Sequence, residues 1–574
     1  LRKRRMPRKP SNLLYGVDES PGRIALVLMG FQHISLMAIA FIFPVIVIEA
    51  IGGNLEEAEG LIRMAMLATG VGTILQAVNR GPVGSGYLCP LLNGPAFLSA
   101  SLMAGKMGGL SLIFGMTAVA GCFEAFFSRL LSRMRAVFPA EVTGTIVTMV
   151  GIEVVPLAIR KFLGIDRMHT VPDGTAILVA VITLGAMACF NVWGRGKLRL
   201  YSVLLGMIVG YAAAAAAGLL SRETFQVMMD APFFALPAVG HYGLSFEWVL
   251  LAPFLVAALS SALKTMGDVT TCQKINDVQW KRPDMVNISG GVLACGISNI
   301  LSGMLGALGQ SVSSSNIGLS IATGATSRRI AYSTGIILIV LAFFPKFASI
   351  FVIMPTPIMG ASLIFAVSFM ILAGLQIIMS RMIDARKTFV IGISIIFGLS
   401  IEFAPELYRN VHPWIKPVFS SSLSLATICA VALNLIFRIG IAKKTSLVLN
   451  PGENLSEAIE HFMEEQGRAW GARSEVIYKA KAAMSEFYEA VVENALTRKP
   501  VVMTVRFDEF NLDVDMAYEG KPIELAASRP DARDLLTDPD APLRLAGYMI
   551  RSLADQAAVE FSAGQSCVRL HFNH

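Results

Sequence analysis

Apolar runs separated by short polar breaks fill the chain up to about residue 440. A helix needs about 20 apolar residues to cross a bilayer. Twelve runs approach or reach that length: Ile24 to Ile48, Leu61 to Val78, Leu110 to Leu131, Val142 to Ile159, Thr175 to Val192, Leu200 to Leu220, Trp248 to Met266, Val286 to Leu305, Ile330 to Ile350, Ile358 to Met379, Phe389 to Phe403 and Ser420 to Ile439. Two more are short and broken. Tyr87 to Met103 carries Pro90, Gly94 and Pro95, while Ser311 to Gly324 is polar and punctuated by glycine. Together they predict an α-helical polytopic membrane protein of about fourteen spans. The broken segments fall third and tenth, at matching places in two halves of about seven spans. Glycine and proline are common in ordinary membrane helices, so the matched placement carries the weight. It predicts two inverted seven-helix repeats with a binding site between them, because irregular backbone at bilayer depth needs protein or a wet cavity to satisfy it.

Composition agrees. Of 574 residues, 54% are hydrophobic and 16% charged, with mean hydropathy +0.61, against about 25% charged in soluble proteins. A soluble multi-domain enzyme is excluded. The net charge of +7 does not point to nucleic acid, since the basic residues sit in short clusters between apolar runs. Arg129, Arg133 and Arg135, then Arg195 to Arg199, Lys274 to Arg282, Arg328 with Arg329, Arg386 with Lys387, and Lys443 with Lys444 all fall on one side. Cytoplasmic loops carry such an excess, which predicts an inner-membrane protein with both termini cytoplasmic. The basic stretch Arg160 to Arg167 falls on the wrong side, and the acidic Asn54 to Glu59 reads as a loop opposite. Leu1 to Pro10 is basic and leads into a full-length span, so no cleavable leader is expected. The seven cysteines have no metal-ligand spacing and read as reduced, small apolar residues.

Four regions are expected: a basic amino terminus (1–23), the transporter domain (24–440), a linker (441–451) and a cytoplasmic α+β domain (452–574). In the last, helical patterning covers Ala472 to Leu496 and Ala541 to Ala557, and strand patterning covers Val501 to Phe507, Phe510 to Ala517 and Ser566 to Phe572.

Several motifs follow one another along residues 15 to 440. They are Gly30-Phe31-Gln32-His33, Gly94-Pro95-Ala96-Phe97, Pro139 with Val142-Thr143-Gly144-Thr145, Met266-Gly267-Asp268-Val269-Thr270, Gly290-Gly291-Val292-Leu293-Ala294, and Asn316-x-Gly318 followed by Thr323-Gly324 and Ser327-Arg328. In this order and spacing they resemble the nucleobase–ascorbate transporter (xanthine/uracil permease) family. That resemblance implies a secondary transporter for a purine, pyrimidine or related solute, coupled to a proton or cation, with no cofactor and no enzymatic activity. It also implies a homodimer whose core rocks against a gate. By the same resemblance Phe97 stacks on the substrate ring, Lys264 stands where the family has a substrate-binding carboxylate, Ser315 replaces a Gln or Glu, Asn316 is the signature residue, and Cys295 stands where an Asp is frequent. His33, Asp268 and Lys264 are the coupling candidates.

A lysine inside a span needs a partner or water. Asp268 lies one turn on, at i+4, so one reading is a structural Lys264–Asp268 pair. The other is that Lys264 binds an anionic or carbonyl-rich substrate, as an anion transporter of the same architecture would. A chain that keeps the fold without transport is the third. Glu141 and Glu153 are further intramembrane candidates. Glu141, at a span end, reads as solvated, and Glu153 has no evident partner.

Residues from about Trp470 to His574 resemble a diverged histidine-kinase-type ATPase, closest to anti-sigma-factor kinases, through Ala483-Met484-Ser485-Glu486, Val501 to Phe507, Leu545 to Asp555 and Gly564 to Leu570. That resemblance places Ala490 at the Mg²⁺-binding Asn, with Asn494 one turn further, and Tyr518-Glu519-Gly520 at the Asp-x-Gly. The expected role is regulation or dimerisation, with a membrane sensor signalling through this domain as the rival.

Overall fold

The computed structural model describes residues 8–574 apart from 132, 135–136, 167–169, 196, 221–225, 227, 238–241, 281–282, 381, 413–415, 417, 451–454, 532–536, 539 and 563. It falls into two units, Leu1–Asn434 and Leu435–His574.

The first unit is helical. Helix α1 (Arg23–Met37) tightens through a 3-10 turn (Ala38–Phe41) into α2 (Ile42–Ile51), and α3 (Leu55–Ala77) follows. The acidic stretch expected as a loop is instead the first turn of α3. The Asn54 side chain accepts from the Glu57 N–H, and the Glu57 carboxylate accepts from the Asn54 N–H, a reciprocal cap that starts a helix.

Extended chain then reaches strand β1 (Leu91–Asn93), the turn Pro95–Phe97 and α4 (Leu98–Leu130). Gly108 and Gly109 break α4, Gly109 at φ +70°, a conformation open to a residue without Cβ. Next come α5 (Ala140–Phe162), α6 (Gly174–Val192), α7 (Ser202–Ala216), α8 (Leu251–Asn276) and α9 (Met285–Leu305). Strand β2 (Gln310–Val312) leads into the short α10 (Ser314–Thr323). The run Ile330 to Ile350, expected as one straight span, bends by 87° between α11 (Arg328–Leu341) and α12 (Pro345–Val352). Pro345 lacks an N–H and suits the first turn of a new helix rather than the middle of an old one. Helices α13 (Thr356–Ile378), α14 (Ala385–Phe403) and α15 (Ser422–Phe437) complete the unit.

Among the described residues, eight helices are long and apolar enough to cross a membrane, nine if the bent pair is one span. Leu178, Ile208 and Ile396 are more than half exposed on outer faces, an apolar surface that suits lipid. Helices α5 and α13 pack closely through glycine: a Cβ on Gly374 would lie 2.5 Å from the Thr148 nitrogen. Small residues permit such approach. Lys161 is not a loop charge, as its ammonium is buried on Glu49 of α2. That removes one misplaced positive charge from the loop.

An amino-terminal arm straps the chain that follows α10. Tyr15 bridges to Ala325. Its carbonyl accepts from the Thr326 N–H and Oγ1. Ser327 Oγ donates to the Glu19 carbonyl, and Arg328 pairs with Asp18 at 2.9 Å.

The second unit is an antiparallel sheet of order β3-β4-β5-β7-β6, formed by β3 (Lys443–Leu449), β4 (Val501–Phe507), β5 (Asn511–Glu519), β6 (Gln556–Ser562) and β7 (Gln565–Asn573). Helices α16 (Leu455–Trp470), α17 (Ser474–Glu493) and α18 (Ala541–Leu553) contribute Met463, Phe487 and Ile550 to a core shared with Val505, Met516 and Leu570. The expected linker is thus mostly strand β3, whose partner β4 lies some fifty residues on and leaves no local signal. Helix α18 stops at Leu553, so Ala557 belongs to β6 rather than to the expected helix.

Candidate functional site

The two broken segments meet. Strands β1 and β2 pair antiparallel, Leu91 with Val312, Leu92 with Ser311 and Asn93 with Gln310. The Gly94 N–H donates to the Gly309 carbonyl at 2.7 Å and the Ser313 N–H to the Pro90 carbonyl at 2.9 Å, extending the ribbon at both ends. Each ribbon strand is only three residues long and gives way at once to a helical turn. Pro95 opens the turn before α4, and the Ser313 hydroxyl caps α10 by accepting from the Asn316 N–H. Gly324, at φ +65°, ends α10.

A cleft opens beside this ribbon, lined among others by Pro95, Val147, Lys264, Ser311, Ser314 and Met370. Lys264 donates to the Val312 carbonyl at 2.5 Å, and Asp268 accepts from Ser314 Oγ at 3.0 Å. The structural Lys264–Asp268 pair read from i+4 spacing is therefore not formed. Each side chain instead ties α8 to the β2–α10 segment.

The other expected site residues separate. Ser315 is exposed and Ser314 takes the cleft-side position, since one residue turns a helix by about 100°. Asn316 is fully buried. Its Nδ2 lies 3.1 Å from both His33 Nδ1 and the His33 carbonyl, and its Oδ1 accepts from Ser313 Oγ at 2.9 Å. Asn316 and His33 thus join α10 to α1 and do not line the cleft. Nor does Phe97, which is buried with its ring against Gly309: a Cβ there would fall 2.4 Å from Phe97 Cγ. Cys295 is buried between Gln76 and Thr265.

Sequence reasoning missed Glu124 of α4. It is fully buried and accepts from Ser261 Oγ at 2.9 Å and Asn299 Nδ2 at 2.7 Å. An acidic residue inside an apolar run was the available signal. Glu153, expected to lack a partner, accepts from Ser421 Oγ at 2.7 Å. Glu141 is buried rather than solvated. Buried Arg63 was also passed over; its Nε donates to the Ala342 carbonyl at 3.0 Å and its guanidinium reaches the Ala235 carbonyl at 2.5 Å.

Two interrupted segments paired beside a cleft that sets one lysine and three serines among apolar residues, inside a bundle of apolar helices, are the arrangement of a multi-pass membrane transporter. Residues 24–407 match the xanthine/uracil permease family, described as "Permease family", and the chain belongs to it. A putative purine permease of Clostridium perfringens is 29% identical over 430 residues, 74% of this chain and 93% of that one. Xanthine permease XanP of Escherichia coli K12 is 27% identical over 443 residues, 74% of this chain and 95% of its own. Among solved structures, the murine Solute Carrier 26 family member A9 anion transporter, in the inward-facing state, aligns with TM-score 0.50 at 11% identity, covering 76% of this chain and 72% of that one. It shares the fold.

Proposed function

We propose that this protein is a secondary active transporter for a nucleobase, a purine dione such as xanthine being the best fit. The observation that carries the reading is the cleft, with the Lys264 ammonium and three serines, Ser260, Ser311 and Ser314, in its wall, and Asp268 bonded to Ser314. A purine dione presents ring N–H donors and carbonyl acceptors along its edges. Lys264 suits the carbonyls, and the serine hydroxyls suit a ring N–H, with Asp268 holding Ser314 in place. The names of the related permeases support the same substrate class. Phe97, Ser315, Asn316 and His33 enter this reading as supports of the ribbon and of α10, on whose open face Ser315 sits. The two paired breaks support a fourteen-span, seven-plus-seven inverted repeat. A dimer in the inner membrane with both termini cytoplasmic completes the proposal.

The carboxyl-terminal unit fits a regulatory or dimerising role better than an active kinase-type ATPase. Ala490 offers no Mg²⁺ ligand, and the Asn494 amide turns back to the Ala490 carbonyl at 2.8 Å.

The Lys264 ammonium also favours a rival, an anion as cargo. Purified protein in liposomes, offered labelled xanthine, uracil and urate beside sulfate, bicarbonate and dicarboxylates, separates the two. Saturable xanthine uptake is expected. Saturable anion uptake that no nucleobase competes with would overturn the proposal.

A further inference from the structure

Behind the cleft, Glu124 of α4 meets three other segments in one hydrogen-bond network. Ser261 Oγ of α8 lies 2.9 Å from Glu124 Oε1 and 3.3 Å from the Gln310 carbonyl of β2. Asn299 Nδ2 of α9 lies 2.7 Å from Glu124 Oε2 and 3.1 Å from the same carbonyl, while Asn299 Oδ1 accepts from the Gln310 N–H at 2.6 Å. Asn299 has an N–H for each of its two acceptors. Ser261 has a single O–H and two acceptors in reach.

The count depends on one proton. With Glu124 ionised, the Ser261 hydrogen serves either Oε1 or the Gln310 carbonyl. With a proton on Oε1, the carboxyl O–H donates to Ser261 Oγ, and the serine hydrogen is free for Gln310. Both arrangements use the same heavy-atom positions, so the proton alone decides how firmly α8 holds the β2 carbonyl.

The surroundings suit such a switch. Among the described residues no ion pair reaches Glu124, so any charge there meets only neutral donors. The flanking helices carry the ionisable Lys264, one turn from Ser261 and tied to Val312, and Cys295, one turn from Asn299 and held by Gln76 and Thr265. Strand β2 presents only the neutral Gln310 and Ser311. Gln310 Oε1 and Ser311 Oγ are buried oxygens without a hydrogen-bond partner, and Ser311 also lines the cleft. Polar atoms therefore run from the cleft wall to the network.

We propose that Glu124 is a proton-binding site, with Ser261 as the positioning residue that relays its protonation to the ribbon beneath the cleft. The proton arrives from water and rests on Oε1; no other bond is made or broken. This deepens the transporter reading, because it gives the coupling proton a seat other than Lys264, His33 or Asp268. It rests on that reading for what the proton drives, not for where it binds.

The test uses the full-length protein in lipid. Infrared difference spectra against pH should show a protonated-carboxyl stretch that disappears in Glu124→Gln. In Ser261→Ala it should stay but shift, since the carboxyl loses its acceptor. In liposomes, Glu124→Gln should still exchange labelled xanthine across the membrane and lose accumulation driven by an inward proton gradient. Ser261→Ala should flatten the pH dependence of that accumulation. Glu124→Gln protein that accumulates with unchanged pH dependence would overturn the assignment, as would a wild-type spectrum with no band traceable to Glu124. Should the wild type carry no nucleobase at all, the transporter reading fails while the infrared band still decides the proton site.

Discussion

Lys264 faces the cleft and holds the ribbon with the same ammonium. Replacing it with methionine removes a charge-assisted hydrogen bond, a loss of about 1.5–3 kcal/mol, or roughly ten- to hundredfold in affinity. Equilibrium binding of labelled xanthine to purified Lys264→Met should show that loss. Unchanged binding would place the ammonium outside the substrate's reach. Asn316 behaves differently. Asn316→Ala strands the buried His33 ring nitrogen and the Ser313 hydroxyl, at a cost of about 1–3 kcal/mol each. It should lower the thermal midpoint more than it weakens substrate binding. The contrast explains what was legible in the sequence. Lys264 announces itself as a charge in an apolar run, and Asp268 follows from spacing. Which neighbour each side chain contacts depends on β2 and α10, which are near in space and remote in sequence. The same remoteness hid the role of Glu124 and moved the cleft-side hydroxyl from Ser315 to Ser314.

Apolar runs located nearly every helix, because about twenty apolar residues have few other ways to be satisfied. What they could not show was the three-residue strands, too short to display an alternating pattern, and the corner at Pro345. A glycine-rich crossing is equally silent until partners are known. Gly374 sits against Thr148 on α5 with no space for a side chain. Gly374→Val should force α13 off α5 and cost about 1–3 kcal/mol. The readout is a lower midpoint in thermal unfolding, with Gly392→Ala as control, since a Cβ at Gly392 meets nothing within 4 Å. Equal midpoints for the two variants would show that the crossing is slack.

The carboxyl-terminal unit carries groups that make its stability sensitive to alkali. In the carboxyl-terminal unit, the Glu460 carboxylate hydrogen-bonded to Lys481 raises the ammonium's pKa, and burial raises that of the Tyr518 hydroxyl. Both groups hold their protons more tightly folded than unfolded, so their stabilisation is complete below the unfolded values of about 10 and is lost as pH climbs past them. Alkaline titration followed by limited proteolysis should open this unit above about pH 10, and Tyr518→Phe should delay the opening. The amino-terminal arm bears on practice as well. Residues 8 to 20 are the sort of leading segment commonly trimmed when expression vectors are designed. Here they supply backbone and carboxylate partners to Thr326, Ser327 and Arg328, directly after the helix that borders the cleft. Trimming them would leave those groups bare and loosen the very helix a transport assay interrogates, so an inactive truncated preparation would say nothing about the native permease.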